Sequence, residues 1–161
     1  GAGLLHVAAG GGQLRVAKEL LQRGASIDLR GAMDTTALMM AAGADQNAMV
    51  RLLLEHKASV DLQEAVGATA LMMAAFRGNQ KCVHELLQAG ASTELRNQDG
   101  ETALQLAEAN GHTTTAKLLR QRAAKPSAAS PKAVVTAEAR AAAEVAADRA
   151  AEELLAEEGA P

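Results

Sequence analysis

Apolar positions along this chain fall into short blocks separated by polar and glycine-containing breaks, and the blocks repeat. Thr36-Ala-Leu-Met-Met-Ala-Ala42 recurs 33 residues later as Thr69-Ala-Leu-Met-Met-Ala-Ala75. After the same interval comes Thr102-Ala-Leu-Gln-Leu-Ala-Glu108, and one period upstream stands Gly3-Leu-Leu-His-Val-Ala-Ala9. The second half of each unit keeps step: Leu20-Leu21, Leu53-Leu54 and Leu86-Leu87 are in register, followed by Gly24-Ala-Ser26, Lys57-Ala-Ser59 and Gly90-Ala-Ser92. A fixed period of this length marks a solenoid, in which each unit buries its apolar face only against its neighbours.

Each unit reads as two helices. The spacing predicts first helices near 4–11, 37–44, 70–77 and 103–110, and second helices near 14–23, 47–56, 80–89 and 113–122. Thr36, Thr69 and Thr102 are placed to cap the first helices, because a threonine hydroxyl can accept from orphan amides of the first turn. Thr102 with Gln105 makes a capping box. The Ala-Ala pairs let helices approach closely. Gly24 and Gly90 follow second helices where a left-handed residue commonly ends one, and Asp99-Gly100 is a tight-turn pair at a projecting hairpin.

A unit of 33 residues with Thr-x-Leu-x-x-Ala-Ala, a Leu-Leu pair and Gly-Ala resembles the ankyrin repeat, over residues 1 to about 122. The resemblance implies an all-α solenoid of paired antiparallel helices with projecting hairpin loops, in repeats near 1–30, 31–63, 64–96 and 97–124. The departures from that pattern are specific. Ala37, Ala70 and Ala103 stand where the family has proline, which keeps helix propensity and loses a rigid start. The family's first-helix histidine survives as His6 but becomes Met39, Met72 and Gln105, so its inter-repeat hydrogen bonds should be missing there. Lys57 and Asp45 replace glycines, and a Cβ disfavours left-handed backbone by about 1 kcal/mol. The second repeat is therefore expected to be the weakest.

Composition narrows the function. The 161 residues are 48% hydrophobic but include one aromatic, Phe76, so the core must be Leu, Ala, Val and Met, which suits helices. A net charge of −3 gives no counterion-release footprint for nucleic acid, and bases would find no aromatic platform. No apolar run approaches the ~20 residues needed to span a bilayer. Cys82 is the single cysteine, which excludes a disulfide scaffold and suits an intracellular, cytoplasmic setting. The start lacks both Met and a leader-like pattern, so the first residue is expected to be a fragment boundary.

Candidate chemistry is sparse. His6 and His112 match structural histidines of the family, and His56 should be an exposed helix-end residue. Cys82 shares the register of Val16 and Met49 and is expected to be buried; His84, two positions on, points elsewhere. No Cys/His cluster has zinc spacing, and Gly10-Gly11-Gly12 lacks the strand and Lys-Ser/Thr of a phosphate loop. Neither catalytic, cofactor nor metal residues are expected.

From Lys125 the composition changes. Residues 125–133 read as a linker after a repeat domain over 1–124, and 134–161 as an Ala/Glu-rich tail, helical or disordered, with no continuous apolar stripe. The chain beyond Lys125 carries three basic and seven acidic residues. Ser130-Pro131-Lys132 resembles a proline-directed phosphorylation site.

The expected function is non-catalytic binding of a protein partner by a monomer. The alternative is a targeting or scaffold segment of a larger enzyme, channel or ubiquitin-system adaptor. Transferring the family's contact positions onto this chain gives Met33, Thr35, Val66, Ala68, Gln98, Asp99 and Glu101 on the hairpin tips. The first helices contribute Gly43, Ala44, Phe76, Arg77, Ala109 and Asn110. On this reading only the third repeat places bulky groups on its helix, and the surface, otherwise small-sided, would suit a knob-like or helical partner better than a flat one.

Overall fold

The computed structural model describes residues 2–125. The stretch after Lys125, with most of the expected linker, the Ala/Glu-rich tail and Ser130-Pro131-Lys132, lies outside the described residues. Eight α-helices and no strand are present among the described residues: α1 (Ala2–Gly10), α2 (Leu14–Gln22), α3 (Ala37–Gly43), α4 (Asn47–Glu55), α5 (Ala70–Arg77), α6 (Gln80–Gln88), α7 (Ala103–Ala109) and α8 (Thr113–Ala123). Helix α1 begins earlier than its pattern predicts, and the others match within about a residue at each end, the usual fraying of helix termini.

The helices form two stacked layers. First helices pack in the order α1, α3, α5, α7, and second helices in the order α2, α4, α6, α8, each first helix also resting on the second helix of its own unit. Alanine makes the tight stacking possible: Ala41, Ala42, Ala74, Ala75 and Ala107 are fully enclosed. Leu38, Leu71, Leu53 and Leu86, from first and second helices alike, are buried in the same core.

The threonine caps form as the sequence requires. Met39 N donates to Thr36 Oγ1 at 3.3 Å, Met72 N to Thr69 Oγ1 at 3.2 Å, and Gln105 N to Thr102 Oγ1 at 3.3 Å. The Thr102 amide donates back to Gln105 Oε1 at 2.9 Å, completing the box. At the start of α3 the thioether of Met39 stands in for that acceptor, 3.4 Å from the Thr36 amide.

Second helices begin without side-chain caps of their own. Two of the residues just before them serve the preceding repeat instead. Asn79 Nδ2 donates to Ala42 O at 2.7 Å, and His112 Nε2 bonds Phe76 O at 3.1 Å. These carbonyls belong to the last turns of α3 and α5, where helical acceptors lack intrahelical donors. His6 plays a related part between the first two repeats, with Nε2 2.9 Å from Thr35 O. In the next two repeats Met39 and Met72 occupy its register as buried packing groups.

Both glycine replacements in the second repeat adopt the left-handed backbone that their positions demand, with φ of 57° at Asp45 and 66° at Lys57. The equivalent Gly78 and Gly90 have φ of 73° and 89°.

Candidate functional site

Between successive first helices the chain projects hairpins, each closed across its base by a backbone bond, Gly31 N to Thr35 O, Glu64 N to Ala68 O, and Asn97 N to Glu101 O, at 2.8–3.0 Å, with a further turn bond inside it. Neighbouring tips are tied by Ala65 N to Met33 O and Gln98 N to Val66 O, each 2.9 Å. Side chains reinforce the row. Gln98 Nε2 donates to Ala65 O at 2.7 Å, and Gln63 Nε2 bridges Gly67 O and Arg96 O. The hairpins thus form a linked wall rather than independent loops. A buried carboxylate helps hold its middle: Glu64 Oε1 accepts from the amides of Val66 and Ala68.

Beside this wall, the exposed faces of α3, α5 and α7 form the floor of a groove of about 700 Å³. A volume of that size falls in the range of ligand pockets. It gathers six of the residues expected at the contact surface: Ala44, Ala68, Phe76, Arg77, Asp99 and Glu101, with Gly43 beside them. Met33, Thr35, Val66, Gln98 and Asn110 lie outside it. Met33 and Val66 remain exposed on the outer tips, at 67% and 49%. Thr35, Gln98 and Asn110 are turned to local use. Thr35 Oγ1 donates to Ala32 O, Gln98 holds the neighbouring tip, and Asn110 Nδ2 donates to Leu106 O.

The expectation of a small-sided surface outside the third repeat is corrected by Met40, Met73 and Leu106. These three line the groove floor and share one register, 33 residues apart. All four methionines border the groove, but in each pair the first side chain is buried and the second is the more exposed, because adjacent helical residues diverge by about 100°. The signal was present as an apolar residue four positions after each capping threonine.

Phe76 sits near the end of α5 and is 49% exposed, with Arg77 also exposed. Its equivalents are Gly10, Gly43 and Ala109, so the ring stands above a floor otherwise made of small residues at that position. Its carbonyl is held by His112, which fixes this end of the helix from the following repeat.

Elsewhere, Cys82 is buried, and its Sγ lies 3.7 Å from Asp45 Oδ1. Burial and the nearby carboxylate push the thiol up to about 12. Such a thiol is protonated at neutral pH and a poor nucleophile. His84 instead lies 3.4 Å from the Gln88 amide. Among the described residues no group of three or more His, Cys, Asp or Glu is placed to hold a metal ion. No helix among them is long and apolar enough to cross a membrane.

In comparison with known proteins, a family model described as ankyrin repeats (3 copies) matches residues 5–97 and again 59–130. A search of curated proteins gave no match.

Proposed function

The chain belongs to the ankyrin-repeat family, and from that premise we propose that it is a non-catalytic module binding a partner protein in the groove between its hairpin wall and its first helices. Ankyrin repeats serve generally in protein–protein interaction. The observation that carries it is the convergence of Met40, Met73, Phe76 and Leu106 on one concavity flanked by polar tips. Apolar and aromatic anchors in a recess with a polar rim are the usual anatomy of a binding hot spot. Methionine suits such a surface because its unbranched thioether adapts to different partner shapes.

Surface residues contribute little to the stability of the stack, so a contact role for them is separable from folding. The test is site-specific photo-crosslinking in a cell extract, with the probe at position 73 in the groove or position 18 on the exposed side of α2. Discrete adducts from position 73, and none from position 18, support the reading. Adducts from position 18 alone would place the contact on the outer helices and reject it.

A further inference from the structure

Charge is unevenly divided between the two layers. The four second helices carry seven basic and three acidic residues, whereas the rest of residues 2–125 carries six basic and nine acidic. The imbalance is sharpest on the hairpin wall. Residues 31–35, 64–68 and 97–101 hold Asp34, Glu64, Asp99 and Glu101 and no lysine or arginine. Arg30 and Arg96, just before two of these hairpins, are turned to backbone carbonyls, Gln63 O at 2.9 Å and Gly100 O at 2.6 Å, and form no ion pair with the tip carboxylates. Glu64 is committed to backbone amides. Asp99 is exposed, with no ion pair or side-chain hydrogen bond, and Glu101 makes one long contact of 3.4 Å from Asn97 Nδ2. Two carboxylates without a cationic partner therefore overlook the apolar groove floor, which has Arg77 as the single cation in its lining.

The floor has its own metric. Packed helices lie about 8–10 Å apart, and Met40, Met73 and Leu106 present one apolar side chain per helix. A helix advances about 10 Å in seven residues. A partner helix laid across the repeats would meet the three residues in turn with apolar side chains two turns apart, the anchor spacing of helix-in-groove recognition. Its flank toward the hairpins would face Asp99 and Glu101.

We infer that the groove takes an amphipathic helix of a partner protein, with apolar residues on the Met40–Met73–Leu106 row and lysine or arginine on the flank that meets Asp99 and Glu101. The inference rests on the groove reading proposed above and adds the partner's chemistry. Opposite charge favours such a segment on approach, and like charge disfavours its acidic counterpart.

The test uses the full chain and three labelled peptides of about 20 residues, enough for ~30 Å of helix. All three carry leucine on one helical face, with lysine, glutamate or glutamine at the polar positions, and binding is read by fluorescence anisotropy. The lysine peptide should bind at least about tenfold tighter than the glutamate peptide at low salt, the gap narrowing as salt screens it. The double variant Asp99→Asn, Glu101→Gln should remove most of that gap, while Phe76→Ala weakens all three peptides. A gap that survives the double variant would mean that the cations are read elsewhere, including by the acidic residues beyond Pro126, and would overturn the inference. Failure of all three peptides to bind would overturn it too. Equal binding of lysine and glutamate peptides, lost on Phe76→Ala, would remove this inference and leave the groove standing as a binding site.

Discussion

Cys82 Sγ approaches Asp45 Oδ1 to 3.7 Å, joining the turn of the second repeat to the second helix of the third. Asp45 reaches this position from a left-handed backbone, φ 57°, at a site where the next repeat has Gly78. The thiol is enclosed, and its ionised form would lie without solvent beside a carboxylate. That arrangement favours the neutral form.

Stability should therefore fall in alkali through this one thiol. Its ordinary value is 9.0 and its folded value about 12. Below about 9 both states keep the proton and the fold loses nothing. As pH rises from about 9 to about 12, the unfolded thiol ionises while the folded one does not, so unfolding is increasingly favoured. Denaturant midpoints measured across that window should drop further for the native chain than for Cys82→Ala. Parallel curves would show that Cys82 ionises as readily folded as unfolded.

Two left-handed residues with side chains offer direct gains in stability. Lys57, φ 66°, and Asp34, φ 60°, stand where neighbouring repeats have Gly90 and Gly67. A Cβ in this region costs about 1–2 kcal/mol, offset by the greater backbone freedom that glycine gives the unfolded chain. Lys57→Gly should stabilise by a few tenths to about 1 kcal/mol, and Asp34→Gly by less, since aspartate tolerates this conformation better. Equilibrium unfolding in urea would measure both. A destabilised Lys57→Gly would mean that the lysine stem covers apolar surface worth more than the strain.

Much of this architecture was legible because one period set everything at once. The threonine caps, alanine pairs and glycine stops recur at 33 residues, so each unit checked the others. That same regularity marks Lys57 and Asp45 as positions where a left-handed backbone is needed. The groove was harder to read. Met39 and Met40 are chemically identical, and only the rotation between neighbouring helical positions makes the first buried and the second exposed. Thr35 and Gln98 stand at the tips, but their side chains are used within the wall. Position alone does not say whether a polar group is free. The Asp45–Cys82 contact depends on where a turn aims its side chain, which spacing does not encode.

Gly78 should tolerate a side chain far less well than Gly90. Its φ is 73°, and a Cβ there would lie 2.5 Å from His112 Nδ1. Moving the ring would also break its bond to Phe76 O. Backbone strain of about 1 kcal/mol and a lost hydrogen bond of similar size predict a cost near 2–3 kcal/mol for Gly78→Ala. Gly90→Ala shares the left-handed backbone, φ 89°, but would meet nothing within 4 Å, so strain alone applies. Comparing their urea midpoints isolates the His112 contribution. Equal losses would show that the histidine moves aside freely.

Contact and packing are separable at Phe76. A ring that filled core would be enclosed, and its removal would cost about 3–5 kcal/mol. This one is 49% exposed and lines the groove beside Arg77, also exposed, while the buried face of α5 is already filled by Leu71, Met72, Ala74 and Ala75. Burial of roughly half a phenylalanine supports a stability loss of only about 1–1.5 kcal/mol for Phe76→Ala. Arg77→Ala should be smaller still, because the guanidinium takes part in no salt bridge that would be lost. Against a bound partner the order of effects should invert. Phe76→Ala should weaken binding by about 2 kcal/mol or more, and Arg77→Ala measurably, as expected of aromatic and arginine anchors. Urea unfolding and titration calorimetry on the same two variants give both quantities. A core-sized stability loss at Phe76 together with unchanged binding of both variants would move the contact surface to the outer tips, where Met33 and Val66 are exposed.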